Sequence, residues 1–135
     1  MSNLEKHLIS KKESKLLAVE YEKSNYEAIN QKRPADKPDS KVYIYELEVL
    51  QDYINLIRDG MEKKGIKNKG IKITLGKYPE HDSDMRLNPL YKGYQTIFFS
   101  EENLGLSVGN DQASRRGQEG EELPDLNYGQ ICPPY

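Results

Sequence analysis

Residues 46–65 read ELEVLQDYINLIRDGMEKKG and carry the clearest periodicity in this chain of 135 residues. Apolar side chains recur there at alternating intervals of three and four, at Leu47, Leu50, Ile54, Ile57 and Met61. That spacing puts them on one stripe of an α-helix, so the sequence predicts an amphipathic helix over 46–64. Gly65, preceded by two lysines that suit the negative end of a helix, is expected to terminate it.

Two β-patterns follow this helix. Residues 70–78 read GIKITLGKY, where apolar Ile71, Ile73 and Leu75 alternate with Lys72 and Thr74. Such a period of two predicts a half-buried strand. Residues 94–100, YQTIFFS, predict a second strand rich in β-branched and aromatic residues. Paired as an antiparallel hairpin, the two strands would be joined by the polar loop 77–93, and a loop of that length is often functional.

The N-terminal part predicts one more helix and one more strand. Residues 10–30 are helical in pattern, with Ser10 as N-cap and Glu13 at the capping-box position. A linker with two prolines follows, and then 42–45, VYIY, a short β-prone stretch. The sequence therefore predicts an α+β fold with two helices packed on a small antiparallel sheet, in which 42–45 is the third strand. This single domain is expected to span 1–100.

The remaining residues, 101–135, predict a polar, partly disordered tail. Residues 1–100 contain 18 Lys or Arg against 15 Asp or Glu, whereas 101–135 contain two arginines against seven acids. The tail is therefore acidic, and its central part is polar and aperiodic. It ends in the more apolar LPDLNYGQICPPY, 123–135, which is expected to dock on the body or to be read by a partner.

Three segments of the chain resemble a group of small cytoplasmic proteins of flavobacteria and other Bacteroidetes, for which no activity is known. The matching segments are the start of the 46–64 helix, GIKITLGKYP at 70–79 and GYQTIFF at 93–99. Glu46 and Ser100 depart from the pattern of that group, which has a capping serine and a Pro-Thr ending there. The resemblance spans about residues 42–100 and implies the fold and a bacterial origin.

Composition excludes several classes of protein. Mean hydropathy is -0.87 and no apolar run approaches the roughly 18 residues of a membrane span. No secretory signal is visible at the start, and the single Cys132 cannot form an internal disulfide, so we expect a cytoplasmic protein. A net charge of -2 argues against a dedicated nucleic-acid binder.

No known catalytic motif is present, so we predict no catalytic residue and no cofactor. The weak metal candidates are His81, Asp82 and Asp84 in the long loop, since imidazole and carboxylates bind divalent ions. They leave open a small metal-dependent hydrolase that uses the 80–84 loop, although a solvated acidic loop is the simpler explanation. The lysines of 63–72 leave open weak nucleic-acid binding, with Tyr78 and Tyr94 as stacking partners.

The main hypothesis is a noncatalytic protein that binds a protein partner. Ten tyrosines against two phenylalanines and no tryptophan is an aromatic choice typical of interfaces. The residues predicted to bind the partner lie around the hairpin and in the tail: Tyr78, Tyr91, Tyr94, Tyr128, Ile131, Cys132 and Tyr135. A homo-oligomer formed across a strand edge is an alternative.

Overall fold

The computed structural model of this chain describes residues 3–81, 86–105 and 122–134. It has an α+β architecture with antiparallel pairing, as predicted. No helix in those residues has the length and apolar character needed to span a membrane.

The N-terminal helix is formed in three consecutive pieces. They are α1 (Lys11–Tyr21), a π-helical turn (Glu22–Tyr26) and α2 (Glu27–Asn30). Ser10 is the N-cap as predicted, and its hydroxyl accepts a hydrogen bond from the Glu13 N–H at 3.1 Å. No residue of α1 is buried, so its leucines and valine face solvent rather than the core.

The central helix α3 (Leu47–Lys63) lies close to its predicted bounds. Its buried residues are Tyr53, Ile57 and Met61; the last two belong to the predicted stripe, whereas Leu47, also predicted there, is 78% exposed. Gly65 follows with φ +75°, a left-handed conformation that glycine adopts without steric cost. Ile66 then turns back into the core, and its N–H donates to the Met61 carbonyl at 3.0 Å.

The predicted hairpin is confirmed as β2 (Lys69–Lys77) paired antiparallel with β3 (Gln95–Asn103). Its register places Ile73 opposite Phe99 and runs without a bulge from Lys69 to Lys77. β3 is three residues longer at its end than the predicted strand, because Glu101–Asn103 complete the ladder with the start of β2.

The third strand pairs differently from the prediction. β1 (Val42–Ile44) lies antiparallel to β4 (Gln130–Cys132), which belongs to the chain's C-terminal part, and not to the hairpin. Upstream of β4, Leu126 and Phe99 exchange two backbone hydrogen bonds of 2.9 Å each, which attaches the same segment to β3. The described residues 122–134 are therefore integrated into the fold. Residues 106–121 of the predicted tail lie outside the described part.

Two hydrophobic clusters result. One joins α3 to the hairpin and contains Tyr53, Ile57 and Phe99, with Leu123 and Leu126 of the C-terminal segment packed against it. The other is built around tyrosines and includes Ile131 of β4, which is 1% exposed. Both clusters thus depend on the returning C-terminal segment.

The Tyr53 hydroxyl connects three elements at one point. Its oxygen lies 3.0 Å from the carbonyl oxygens of both Phe99 and Pro124, so one O–H serves α3, β3 and the C-terminal segment. Burial, followed by the charges of Asp125 and Glu101, raises the pKa of the Tyr53 phenol to about 12. The hydroxyl therefore keeps its proton and donates throughout the physiological range.

We expect Tyr53→Phe to lower the free energy of unfolding by about 1–2 kcal/mol, because two carbonyls lose their shared donor while the ring still fills the core. Urea denaturation measures the change. Tyr128→Phe, at an exposed tyrosine, is the matched control and should alter stability by less than about 0.5 kcal/mol. Equal effects of the two substitutions would contradict this role for the Tyr53 hydroxyl.

Glu101 is a carboxylate placed in an unfavourable environment. Its Oε2 is buried with no hydrogen-bond partner among the described residues. Burial raises the pKa of the Glu101 carboxyl above its ordinary value, although the charge of Lys64 opposes the shift. The folded state therefore binds this proton more tightly than the unfolded state. The resulting stability is present at low pH and is lost as pH rises through the folded-state pKa.

We accordingly expect Glu101→Gln to raise the free energy of unfolding at pH 7, with a gain that shrinks as pH falls through the raised folded-state pKa of Glu101 and is lost below about 4, where the unfolded glutamate is protonated as well. Denaturation curves between pH 3 and pH 8 measure the dependence. Glu5→Gln, at an exposed position, should leave the pH profile unchanged. A gain that persisted undiminished at low pH would show that charge is not its cause.

Candidate functional site

Most tyrosines predicted to bind a partner lie in the core. Tyr78, Tyr91, Tyr94 and Ile131 are each less than a tenth exposed and form one cluster with Leu87. The structure does bring these predicted residues together. It does so inside the molecule, where their side chains are not available to a partner.

Hydroxyl and ring contacts explain why tyrosine suits these buried positions. The Tyr78 hydroxyl donates to Asn127 Oδ1 at 2.7 Å, and Asn127 in turn donates its amide to the Ile97 carbonyl at 2.6 Å. The Tyr78 ring is stacked between Tyr91 and Tyr128, with centroid distances of 6.3 and 6.4 Å. The tyrosines therefore fasten the C-terminal segment to the body.

The other predicted site residues are not part of the buried cluster itself. Tyr128 is 42% exposed, with the Arg86 guanidinium 4.6 Å from its ring centre. Cys132 is a half-buried free thiol in β4. Tyr135 lies outside the described residues.

The metal candidates are not assembled by what the structure describes. His81 is exposed, and Asp82 and Asp84 lie outside the described residues. Over residues 3–81, 86–105 and 122–134, no group of three or more His, Cys, Asp or Glu side chains is arranged to hold a metal ion. The 80–84 metal site therefore stays a prediction.

The lysines of 63–72 are partly neutralised by acids. Lys69 Nζ lies 3.7 Å from Glu62 Oε1, and Lys72 Nζ lies 3.7 Å from Glu102 Oε1. Tyr78 and Tyr94, proposed as stacking partners for bases, are buried. Two of the five lysines of this surface are thus paired with acids, and the two tyrosines proposed to stack on bases are not exposed.

A basic groove stands out instead at the opposite end of β2. It has a volume of about 600 Å³ and is formed by three separate segments: the linker after α2, the connection between β2 and β3, and the C-terminal tip. Among the described residues, its cationic lining residues are Lys32, Arg33, Lys37, Lys77 and Lys92, and its acidic lining residue is Glu80. Its apolar lining comes from Pro34, Pro89, Leu90, Tyr94 and Pro134.

Arg33 connects two of the segments that form the groove. Its Nη1 donates to the Gly93 carbonyl at 2.8 Å and its Nε donates to the Lys37 carbonyl at 2.9 Å. The guanidinium lies over the Tyr94 ring, 4.5 Å from the ring centroid. Its Nη1 lies 4.0 Å from Asp39 Oδ1. This arginine thus joins the linker to the start of β3, and its charge is used inside the fold.

Asp39 and Gly93 also make hydrogen bonds at this junction between the linker and the hairpin. The buried Asp39 carboxylate accepts hydrogen bonds from the N–H groups of Ser40 and Gln95, at 2.9 and 2.8 Å. Gly93 has φ +84° and donates its N–H to the Tyr78 carbonyl at 2.9 Å. Burial raises the pKa of the Tyr43 phenol, whose oxygen contacts Ser40 and Gln95 beside this junction. The linker, which the sequence indicated only as a connection, is therefore attached to the start of β3 by hydrogen bonds.

The four lysines of the groove have no such partners. The side chains of Lys32, Lys37, Lys77 and Lys92 are exposed and make no ion pair or hydrogen bond with any other residue in the described part of the chain. Leu90, 58% exposed, lies among them. Such a combination of unpaired cations and apolar surface suits an anionic ligand that also has apolar groups.

Sequence reasoning missed this groove because its lysines come from two segments that lie far apart in the sequence, the linker and the β2–β3 connection. A usable signal does exist: the linker QKRPADKPDSK has four cations against two acids, and Lys77 and Lys92 stand at the two ends of the long connection. Only the fold shows that they converge.

We expect Arg33→Lys to lower the free energy of unfolding by about 1–3 kcal/mol, because lysine keeps the charge but cannot make both carbonyl contacts and the ring contact. Urea denaturation again measures the change. Lys32→Gln, next in the chain and exposed, should be neutral within about 0.5 kcal/mol. If Arg33→Lys were equally neutral, the hydrogen bonds and ring contact of the guanidinium would not be what holds the linker in place.

Comparisons with known proteins found no match: no protein-family model covers the chain, and no curated protein or solved structure is significantly similar to it. The resemblance to the Bacteroidetes group therefore stays a prediction, and the function must be argued from the residues themselves.

Proposed function

We propose that this is a noncatalytic interaction protein that binds an acidic, partly apolar segment of a protein partner in the groove between the linker and the β2–β3 connection. The observation that carries the proposal is the set of four lysines around exposed Leu90 whose side chains have no partner among residues 3–81, 86–105 and 122–134. Clustered cations that the fold leaves uncompensated raise the local concentration of anionic partners and speed their association.

The apolar part of the groove favours a peptide over a nucleic acid. Tyr94, the aromatic residue of its lining, is only 6% exposed and is covered by the Arg33 guanidinium, so no base can stack on its face. Prolines and Leu90 offer instead a surface that aliphatic side chains can contact. An acidic segment with interspersed apolar residues would satisfy both the lysines and this surface.

The other functions are less well supported. For nucleic-acid binding through 63–72, two of the lysines are already paired with glutamates. For the metal-dependent hydrolase, the described residues place no group of further metal-binding side chains around His81. A bacterial origin rests on the resemblance and a cytoplasmic location rests on the single cysteine, so both remain part of the proposal.

The test is a fluorescence anisotropy titration of the full chain with a labelled peptide in which Asp or Glu alternates with Leu. The variant Lys32→Glu/Lys37→Glu/Lys92→Glu should weaken binding by about tenfold or more, equivalent to about 1.4 kcal/mol. The matched control Lys12→Glu/Lys63→Glu/Lys67→Glu has the same change of net charge outside the groove, and its affinity should change by less than about threefold.

An oligothymidylate probe in the same titration separates the alternatives. Oligonucleotide binding that the groove variant abolishes, without peptide binding, would overturn the proposal in favour of nucleic acid. Equal losses in the groove and control variants would show that only net charge matters. Affinity capture from a bacterial lysate with the native chain and the groove variant would then identify the partner.

A further inference from the structure

No described residue pairs with the outer edge of β2, the edge that faces away from β3. In the described residues β2 pairs only with β3. The Tyr78 N–H donates to the Tyr94 carbonyl and the Leu104 N–H donates to the Asn68 carbonyl, both at 2.9 Å, which places the hydrogen-bonded pairs of the ladder at even-numbered residues of β2. The N–H and C=O groups of the odd-numbered residues from Lys69 to Lys77 therefore point away from β3.

Those same odd-numbered residues expose apolar side chains. Ile71, Ile73 and Leu75 are 42%, 59% and 70% exposed and lie on one face of the strand. Ile71 also borders an apolar groove of about 300 Å³ between β2 and α3, to which Ile54 and Met61 contribute. A long strand edge with both free backbone groups and exposed aliphatic side chains is a ready template for another strand.

The sequence of β2 is nearly symmetric about its centre. Lys69–Lys77 reads KGIKITLGK, so that reversal about Ile73 puts lysine on lysine, glycine on glycine and Ile71 on Leu75. We infer that a second copy of this chain pairs with the edge, β2 against β2, antiparallel about a twofold axis at Ile73. The odd-numbered residues would then exchange backbone hydrogen bonds, and the two hairpins would form one four-stranded sheet.

This register places apolar residues opposite each other across the twofold axis. Ile73 meets Ile73 of the second copy, and Ile71 meets Leu75 of the second copy, so six exposed aliphatic side chains become cross-strand neighbours. A four-stranded sheet also overcomes the marginal stability of a two-stranded hairpin.

Charge at the two ends of the strand is compatible with this pairing. Lys69 would face Lys77 of the second copy, and like charges directly opposite each other are unfavourable. Glu62, however, already lies 3.7 Å from Lys69 Nζ and is itself largely exposed. Its carboxylate is therefore positioned where the second ammonium group arrives. The same acid would serve both lysines, once at each end of the interface.

Disulfide cross-linking tests both the pairing and its register. In a Cys132→Ser background, Ile73→Cys should cross-link to itself on mild oxidation, because a hydrogen-bonded antiparallel pair has Cα atoms about 5.5 Å apart, within disulfide range. Ile71→Cys alone should not, since its two copies would lie four residues apart along the strand, roughly 13 Å. Ile71→Cys/Leu75→Cys should cross-link again. Equal cross-linking of the two single variants would overturn the register.

Sedimentation equilibrium tests the association without cysteines. The native chain should be a dimer at about 100 µM, and Ile73→Asp should raise the dimer dissociation constant by about tenfold or more while circular dichroism shows it folded. Leu16→Asp, at an exposed leucine of α1, is the control and should leave the dimer intact. A native chain that stayed monomeric, or a dimer broken by Leu16→Asp but not by Ile73→Asp, would refute the inference, the latter in favour of an interface on α1.

Discussion

A hairpin of two strands is only marginally stable in water, and the rest of this fold supplies what the hairpin lacks. α3 (Leu47–Lys63) covers one face through Tyr53 and Ile57, which pack on Phe99 of β3. The C-terminal segment then closes the free side of β3, where Leu126 and Phe99 exchange backbone hydrogen bonds. The Tyr53 hydroxyl lies where helix, strand and C-terminal segment meet, so the three elements stabilise one another cooperatively.

The return of the C-terminal segment also shapes the opposite end of the molecule. β4 (Gln130–Cys132) brings Ile131 into the tyrosine cluster, and Asn127 accepts a hydrogen bond from the Tyr78 hydroxyl. That cluster fixes the residues just before β3, which in turn present the Gly93 carbonyl to Arg33. The geometry of the basic groove is thus a consequence of core packing, and its internal contacts are made by Arg33 and Asp39 rather than by its lysines.

The sequence predicted the elements whose side chains repeat with a clear period. The 3–4 spacing of α3 and the alternation of Ile71, Ile73 and Leu75 are local signals, and both elements formed close to the expected bounds. The pairing of β1 with β4 could not be predicted, because three-residue strands have no measurable period and their partners are nearly 90 residues apart. Nor does composition distinguish a tyrosine at an interface from one such as Tyr78, whose hydroxyl finds its partner inside.

The free edge of β2 and the basic groove are adjacent, since Lys77 ends the strand and also lines the groove. In the twofold dimer, Lys77 would contact Glu62 of the second copy, and each of the two equivalent grooves would keep Lys32, Lys37 and Lys92 for a partner. A partner with two acidic segments could then bind both, and the second contact would form at the high effective concentration set by the first. Modest affinity at each groove would suffice for tight binding of such a partner. A small domain whose groove is lined by separate, flexible lysines is well suited to that mode of recognition.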